Sequence, residues 1–256
     1  MHILLTNDDG IFAPGLKALV EAFSGAGHTV YVCAPDRERS AASHSATFAQ
    51  PLHATPVAMP GAAMAWAVDA APSDCACLGM FLCREAGVDL AVSGINRGMN
   101  QGGACIYSGT VGAAMEASMR GAQALAVSLC VGPSIREDRS HYTVAARVAL
   151  RVADWMTEHP LPRGAIYNLN VPPIPYDQLR GIRPARLAPI FMHDANYDRI
   201  EDGQGICYRH HNGPPESVDD PEFDTVMTDQ GFVTLTKLTW DLRLNADDSE
   251  LGEIAL

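Results

Sequence analysis

"ILLTNDDGIFAPGLKALV" (residues 3–20) decides the reading of the whole chain. Ile3, Leu4 and Leu5 form an apolar run short enough for a buried strand, and Asn7-Asp8-Asp9-Gly10 has the composition of the turn that ends it. Pro14 stands where its missing N–H costs a helix nothing, and Leu16, Leu19, Val20 and Phe23 then recur at helical spacing. A strand–turn–helix unit of this kind binds ligands beyond the carboxyl end of its strand. Two adjacent carboxylates at that place repel each other unless something positive sits between them.

The same alternation continues outward for two-thirds of the chain. "HTVYVCAP" (28–35) reads as the next strand, and 64–87 as a strand, a turn at Pro72 and a helix with Leu78, Phe81 and Leu82 facing inward. "VDLAVSGIN" (88–96), "ALAVSL" (124–129) and "AIYNLNVP" (165–172) read as further strands. Helices are expected at 110–122 and 140–160. The second has Ser140 as candidate N-cap and Ala145, Val148, Ala149, Val152, Trp155 and Met156 on its inner face. Strands alternating with helices make an α/β fold with a mostly parallel, doubly wound sheet.

The periodicity fades after Pro173. Possible hairpin strands appear near 181–191 and 205–211, and "GFVTLTKLTWDL" (231–242) alternates again. The chain therefore divides into a main domain at 1–173, a β-rich extension at 174–230, and a C-terminal strand and tail at 231–256 that return to the main domain. An extension with so little core pattern packs on the main domain or exchanges with a neighbouring subunit.

With 256 residues, 47% hydrophobic and 19% charged, the composition is that of a globular protein. Thirty acidic against 18 basic side chains give a net charge of −12, which argues against a nucleic-acid duplex or an anionic membrane as the main partner. A small anionic substrate is compatible with that charge, because a bound cation inverts the local field. Seven cysteines without a CxxC pair read as reduced thiols. No stretch approaches the ~20 apolar residues of a membrane span, and no leader pattern opens the chain, so a soluble cytoplasmic protein is expected.

Three polar clusters follow the first one, each at an expected strand end or helix start: "APDRERSAASHS" (34–45), "SGINRGMN" (93–100) and "YSGTVGAAME" (107–116). A parallel sheet brings all four to one edge. Asp8 and Asp9, joined by a hydroxyl such as Ser40 and an amide such as Asn96, form an all-oxygen set suited to Mg²⁺ or Mn²⁺. The alternative is that the pair caps the helix that follows it. Ser108-Gly109-Thr110, opening a helix, is a candidate phosphate cradle or an ordinary cap. Arg37, Arg39 and Arg97 are candidate phosphate partners, and His44 a candidate proton donor to a leaving alkoxide. The dinucleotide fingerprint GxGxxG is missing from the first turn, and neither a P-loop nor a GxSxG elbow occurs.

Taken together and in order, "ILLTNDDGI", "VYVCAPDRERSAASHS", "SGINRGMN" and "IYSGTVGAAME" resemble the SurE family of stationary-phase survival proteins, metal-dependent nucleoside-monophosphate phosphatases. The resemblance covers residues 1 to about 130 and continues through "NLNVP" (168–172) and "TDQGFVTLTKLT" (228–239). It implies a Rossmann-like α/β domain with a C-terminal β extension that joins subunits into homodimers or homotetramers. It implies a 5′-nucleotidase acting on nucleoside 5′-monophosphates, with 3′-monophosphates as secondary substrates, and one divalent cation, Mg²⁺ or Mn²⁺, per subunit. Matched motif by motif, the metal ligands fall on Asp8, Asp9, Ser40 and Asn96, and the phosphate or substrate contacts on Asn100, Ser108, Gly109 and Thr110. Asp8 or Asp9 would accept the water's proton, with His44 serving the leaving oxygen. The chain departs from the family's usual pattern at Gly103-Ala104-Cys105, at "AAPSDC" (70–75) and at Ser43, in loops that could border the nucleoside pocket. Phosphatases of sugar phosphates or short polyphosphate, and a nucleotide-binding protein without turnover, remain the alternatives.

Overall fold

The computed structural model describes residues 1–132, 138–190, 196–203, 205–211 and 218–241. The tail beyond Asp241, residue 191 of the expected 181–191 strand region and the rest of the 174–230 extension between those ranges lie outside the described residues.

β1 (His2–Thr6) leads through the acidic turn into α1 (Pro14–Gly25), with proline in its first turn as expected. The chain continues through β2 (Thr29–Pro35), β3 (Ala54–Pro56), β4 (Met64–Val68), α2 (Pro72–Leu82), β5 (Leu90–Arg97), α3 (Gly109–Met119), β6 (Gln123–Leu129), α4 (Arg139–Met156) and β7 (Ala165–Val171). Beyond these come β8 (Ile182–Pro184), β9 (Asn196–Asp202), β10 (Gly205–His211), α5 (Asp224–Asp229) and β11 (Val233–Thr239). One sheet holds nine strands in the order β3-β4-β2-β1-β5-β6-β7-β11-β8. Its centre is parallel, and β3 and β11 run antiparallel to β4 and β7. This is the α/β fold expected from the alternation of elements.

Period-two alternation sends the strand residues to two different layers. Ile3, Leu5, Val92, Leu125 and Val127 face α1 and α4, where Leu16, Leu19, Phe23, Tyr142 and Val148 complete a core of large side chains. Each such large apolar side chain contributes roughly 1.5–3 kcal/mol by leaving water. Leu4, Cys33 and Ala91 face the other way, toward Cys75 and Ala76 of α2 and Ala113 and Ala117 of α3. That face is built from small residues. A Cβ on Gly79 would lie 2.7 Å from Leu4 Cδ1, so α2 rides directly on the sheet.

Close packing of this kind explains the first of the corrections. Phe81 and Leu82, expected to face inward, are exposed, because Cys75, Ala76 and Gly79 make the contact instead. Trp155 is likewise 42% exposed at the end of α4. The N-cap of α4 is Asp138 rather than Ser140: its side chain accepts from the Ser140 N–H at 2.9 Å. Of the two expected hairpin strands, the one at 205–211 forms a hairpin and the one near 181–191 does not. β10 pairs with β9, while β8 joins the main sheet in parallel with β11.

Candidate active site

The acidic turn is closed by its own residues. Asn7 is fully buried; its Nδ2 donates to the Gly10 carbonyl at 2.9 Å, and its Oδ1 accepts from the Gly10 N–H at 3.2 Å. Gly10 adopts φ +99°, and a Cβ there would sit 3.1 Å from the Arg37 carbonyl carbon, so strain and space both require glycine. Ile11 N–H then donates to Pro35 O at 2.8 Å, tying the turn to the end of β2. Two successive carboxylates are thereby held at the carboxyl edge of the sheet.

Asp8 is buried and points at the start of α3. Thr110 donates its hydroxyl to Oδ1 and its backbone N–H, at 3.2 Å, to Oδ2. Burial pushes the Asp8 carboxyl above its ordinary range, against the pull of those bonds. Asp9 has one backbone donor, Arg97 N–H at 3.1 Å to Oδ2. Burial and then the charge of Asp8 push Asp9 up to about 7, and the Arg97 charge works against that rise. Glu38 raises both carboxyls further, so it stands near the pair as a third acid that pattern reading did not single out. The alternative capping role does not hold for α1: its N-cap is Ala13, and its first turn has no acid.

The other loops reach the same edge. β5 bulges against β6 between Ser93 and Asn96. Gly94 makes this possible, since a Cβ there would lie 2.3 Å from Val127 O. A bulge re-aims the residues that follow it. Asn96 Nδ2 is committed to Gly98 O at 2.9 Å, which leaves its Oδ1 as the oxygen offered to a ligand. Arg39 N–H donates to the Asp8 carbonyl at 2.7 Å and brings the 36–47 loop alongside. Ser40 in that loop is exposed and donates to Glu38 Oε1 at 2.6 Å, keeping lone pairs on its own oxygen.

Comparison with known proteins fits this geometry. The family profile described as "Survival protein SurE" matches residues 3–193. The 5′-nucleotidase SurE of Gloeobacter violaceus is 39% identical over 256 residues, covering 98% of this chain and 95% of that protein. The 5′/3′-nucleotidase SurE of Serratia proteamaculans is 39% identical, covering 94% of this chain and 91% of its own. The crystal structure of SurE from Aquifex aeolicus superposes with a TM-score of 0.80 at 31% identity, covering 95% of both chains. This chain belongs to the SurE family.

The SurE family implies a divalent cation, and the donors present here fit one. Among the described residues no three His, Cys, Asp or Glu side chains converge as a metal cluster. A cation at the Asp8–Asp9 pair would thus draw further ligands from neutral oxygens, such as Ser40 Oγ and Asn96 Oδ1. A buried and a half-buried carboxylate with few donors are the counter-charge such an ion needs.

The phosphate candidates lie at the adjoining helix start. Ser108 is the N-cap of α3, its hydroxyl accepting from Val111 N–H at 3.1 Å. Gly109 lets α3 approach the acidic turn, since a Cβ there would sit 3.0 Å from Asp8 Cβ. Thr110 spends its hydroxyl and amide on Asp8, so a phosphate would share this helix terminus with a carboxylate. Asn100 is buried. Its Nδ2 donates to Ser128 Oγ at 2.7 Å, while Asn168 and Asn170 Nδ2 converge on its carbonyl at 2.9 and 3.0 Å. "NLNVP" thus includes two asparagines that hold the third cluster in place. Asp224 in α5 holds the same loop from the C-terminal side, accepting from Gly102 N–H at 3.0 Å.

The remaining candidates are engaged with other partners. Arg37 and Arg39 both pair with Asp36 and Asp69. His44 Nε2 meets Glu116 Oε2 at 2.9 Å on the flank of α3. Glu38, Glu116 and Asp224 escaped sequence reading because each works through a partner or a neighbour that no local pattern reveals.

Proposed function

We propose that this protein hydrolyses nucleoside 5′-monophosphates, and 3′-monophosphates secondarily, to nucleoside and phosphate. One Mg²⁺ or Mn²⁺ per subunit would be held by Asp8, Asp9, Ser40 and Asn96. The observation that carries this reading is the Asp8–Asp9 pair, one buried and one half-buried, both raised above the ordinary range, with Asp8 set at the N-terminus of α3. Two anions, a carboxylate and a phosphate, can occupy one helix terminus only with a cation between them. When bound, that cation supplies Lewis-acid polarisation of the phosphoryl group and lowers the pKa of a coordinated water.

The chain's own residues do the rest. Ser108 and the start of α3 orient the phosphoryl oxygens, Thr110 fixes the Asp8 carboxylate beside them, and Asn100 keeps the neighbouring loop in register. Asp8 or Asp9 accepts the proton of the attacking water. The new P–O bond forms as the ester P–O bond breaks, and the leaving oxygen takes up a proton from solvent water to become the nucleoside hydroxyl. Phe12, Met99, Ile106 and Tyr107 are exposed on the loops that carry the site. Apolar rims suit a base better than a bare sugar phosphate or a polyphosphate.

The test is phosphate release from a panel of 5′- and 3′-nucleotides, sugar phosphates and polyphosphate with Mn²⁺, Mg²⁺ or EDTA. Nucleotide-selective release abolished by EDTA supports the proposal, and binding without release from folded protein overturns it. Homodimers or homotetramers would form through the extension, since the β9–β10 hairpin stands apart from the main sheet with Tyr197, Ile206 and Tyr208 exposed. Light scattering on the intact protein and on a hairpin deletion checks this. Seven free cysteines fit a reducing, cytoplasmic setting, and among the described residues no helix is long and apolar enough to cross a membrane.

A further inference from the structure

The loop that carries Ser40 is held in an unfavourable conformation by contacts outside itself. Ala41 and Ser43 both adopt left-handed backbone, at φ 57° and 54°. Residues with a Cβ stay there only where the surroundings over-determine them. On one side of Ser40 the Arg39 N–H donates to Asp8 O at 2.7 Å. On the other, Ser43 N–H donates to Tyr107 O at 3.0 Å, Ser43 Oγ to Ile106 O at 2.7 Å, and His44 reaches Glu116. The loop lies directly on α3: a Cβ on Gly112 would be 2.7 Å from Ser43 O and 3.0 Å from His44 Cα.

Glu116 is well placed to be the fixed end of this arrangement. Its carboxylate is mostly buried and is gripped from the other side by Arg120, whose Nε and Nη2 each lie 2.8 Å from Oε1. The His44 bond is the main reason that its carboxyl lies below the ordinary range. With Nε2 committed to this pair, no partner of His44 Nδ1 is found among the described residues.

The geometry points to Glu116 as a positioning residue: through His44 it pins the left-handed 41–43 turn to α3 and thereby sets the place of Ser40 beside the aspartate pair. This rests on the proposed cation site at Asp8, Asp9, Ser40 and Asn96. It assigns His44 a holding role, acting through Ser40 rather than on the leaving group.

The experiment is titration of metal-free, full-length protein with Mn²⁺, reading free Mn²⁺ by EPR, so that turnover is not needed. His44→Ala and Glu116→Ala each raise the Mn²⁺ Kd by about 10-fold, the usual effect of removing a partner behind a ligand. The double variant is no weaker than either single one, because both remove the same pin. His44→Gln, which keeps a donor near the Nε2 position but cannot transfer a proton, recovers most of the lost affinity. Should Glu116→Ala fail to fold, Glu116→Gln and the His44 pair carry the test.

Unchanged Mn²⁺ affinity in folded His44→Ala overturns the proposal. So does a His44→Gln protein as weak as His44→Ala, or a double variant whose losses multiply. Wild-type protein that binds no Mn²⁺ removes the cation site itself, which separates failure of the site from failure of the pin.

Discussion

Two buried carboxylate sites in this molecule are treated in opposite ways. Asp224 is fully buried, and its carboxylate accepts three backbone N–H groups, from Gly102, Ala188 and Thr225, at 2.9–3.0 Å. Burial still pushes it upward, but the chain supplies the donors that a lone anion needs. Asp8 and Asp9 share one turn, lean on a donor residue each, and have Glu38 close enough to add its charge. The first site is complete within the protein. The second is left short of positive charge, and the proposed cation site rests on that shortage.

Breaking the two sites should give opposite results. Asp8→Asn is expected to lower kcat on the order of 10³-fold while metal-free stability changes by no more than about 1 kcal/mol. Nucleotidase assays beside thermal melts of EDTA-treated protein check both halves. Asp224→Ala leaves three buried N–H groups without an acceptor and should cost about 3 kcal/mol in urea melts. Its kcat, measured well below the melting range, should suffer far less than that of Asp8→Asn.

Titration sharpens the contrast. A folded-state pKa of about 7 for Asp9 lies above its unfolded value, so the native state binds the proton more tightly. The contribution of Asp9 to the stability of the metal-free protein should therefore be fully present near pH 4 and fall away as pH rises toward 7, by an amount on the order of a few kcal/mol. Saturating Mn²⁺ should flatten that fall, and Asp9→Asn should remove most of it. Glu116 has the opposite sign: its lowered carboxyl stabilises the fold above its ordinary value of 4.5 and loses that contribution as pH falls further. The smallest effect is expected from Gly109→Ala, whose Cβ would press on Asp8 Cβ and Pro72 Cγ at 3.0 Å. About 1 kcal/mol of stability should go, with a modest rise in the cation's Kd.

Local chemistry made much of this readable in advance. The apolar run before Asn7-Asp8-Asp9-Gly10 and the proline after it define β1, the turn and the start of α1, because each signal acts within a few residues. The four polar clusters reach one edge because the sheet's centre is parallel. What stayed hidden depends on distant partners. Phe81 and Leu82 look like core residues until Gly79 is seen pressed against Leu4. Asp224 lies 122 residues from Gly102, and Glu116 lies 72 from His44, so neither role has a sequence pattern. β10 found its partner in β9 rather than in the 181–191 region, because period-two patterning specifies a strand but not its neighbour.

Calorimetric titration of Mn²⁺ into EDTA-treated protein at pH 6 and pH 8.5, each in two buffers of different ionisation enthalpy, tests the unsatisfied Asp8–Asp9 pair most directly. One site per chain is expected, with about one proton released at pH 6, far fewer at pH 8.5, and binding lost in Asp8→Asn. Absence of binding, a proton count that does not change with pH, or full affinity in Asp8→Asn would contradict the assignment.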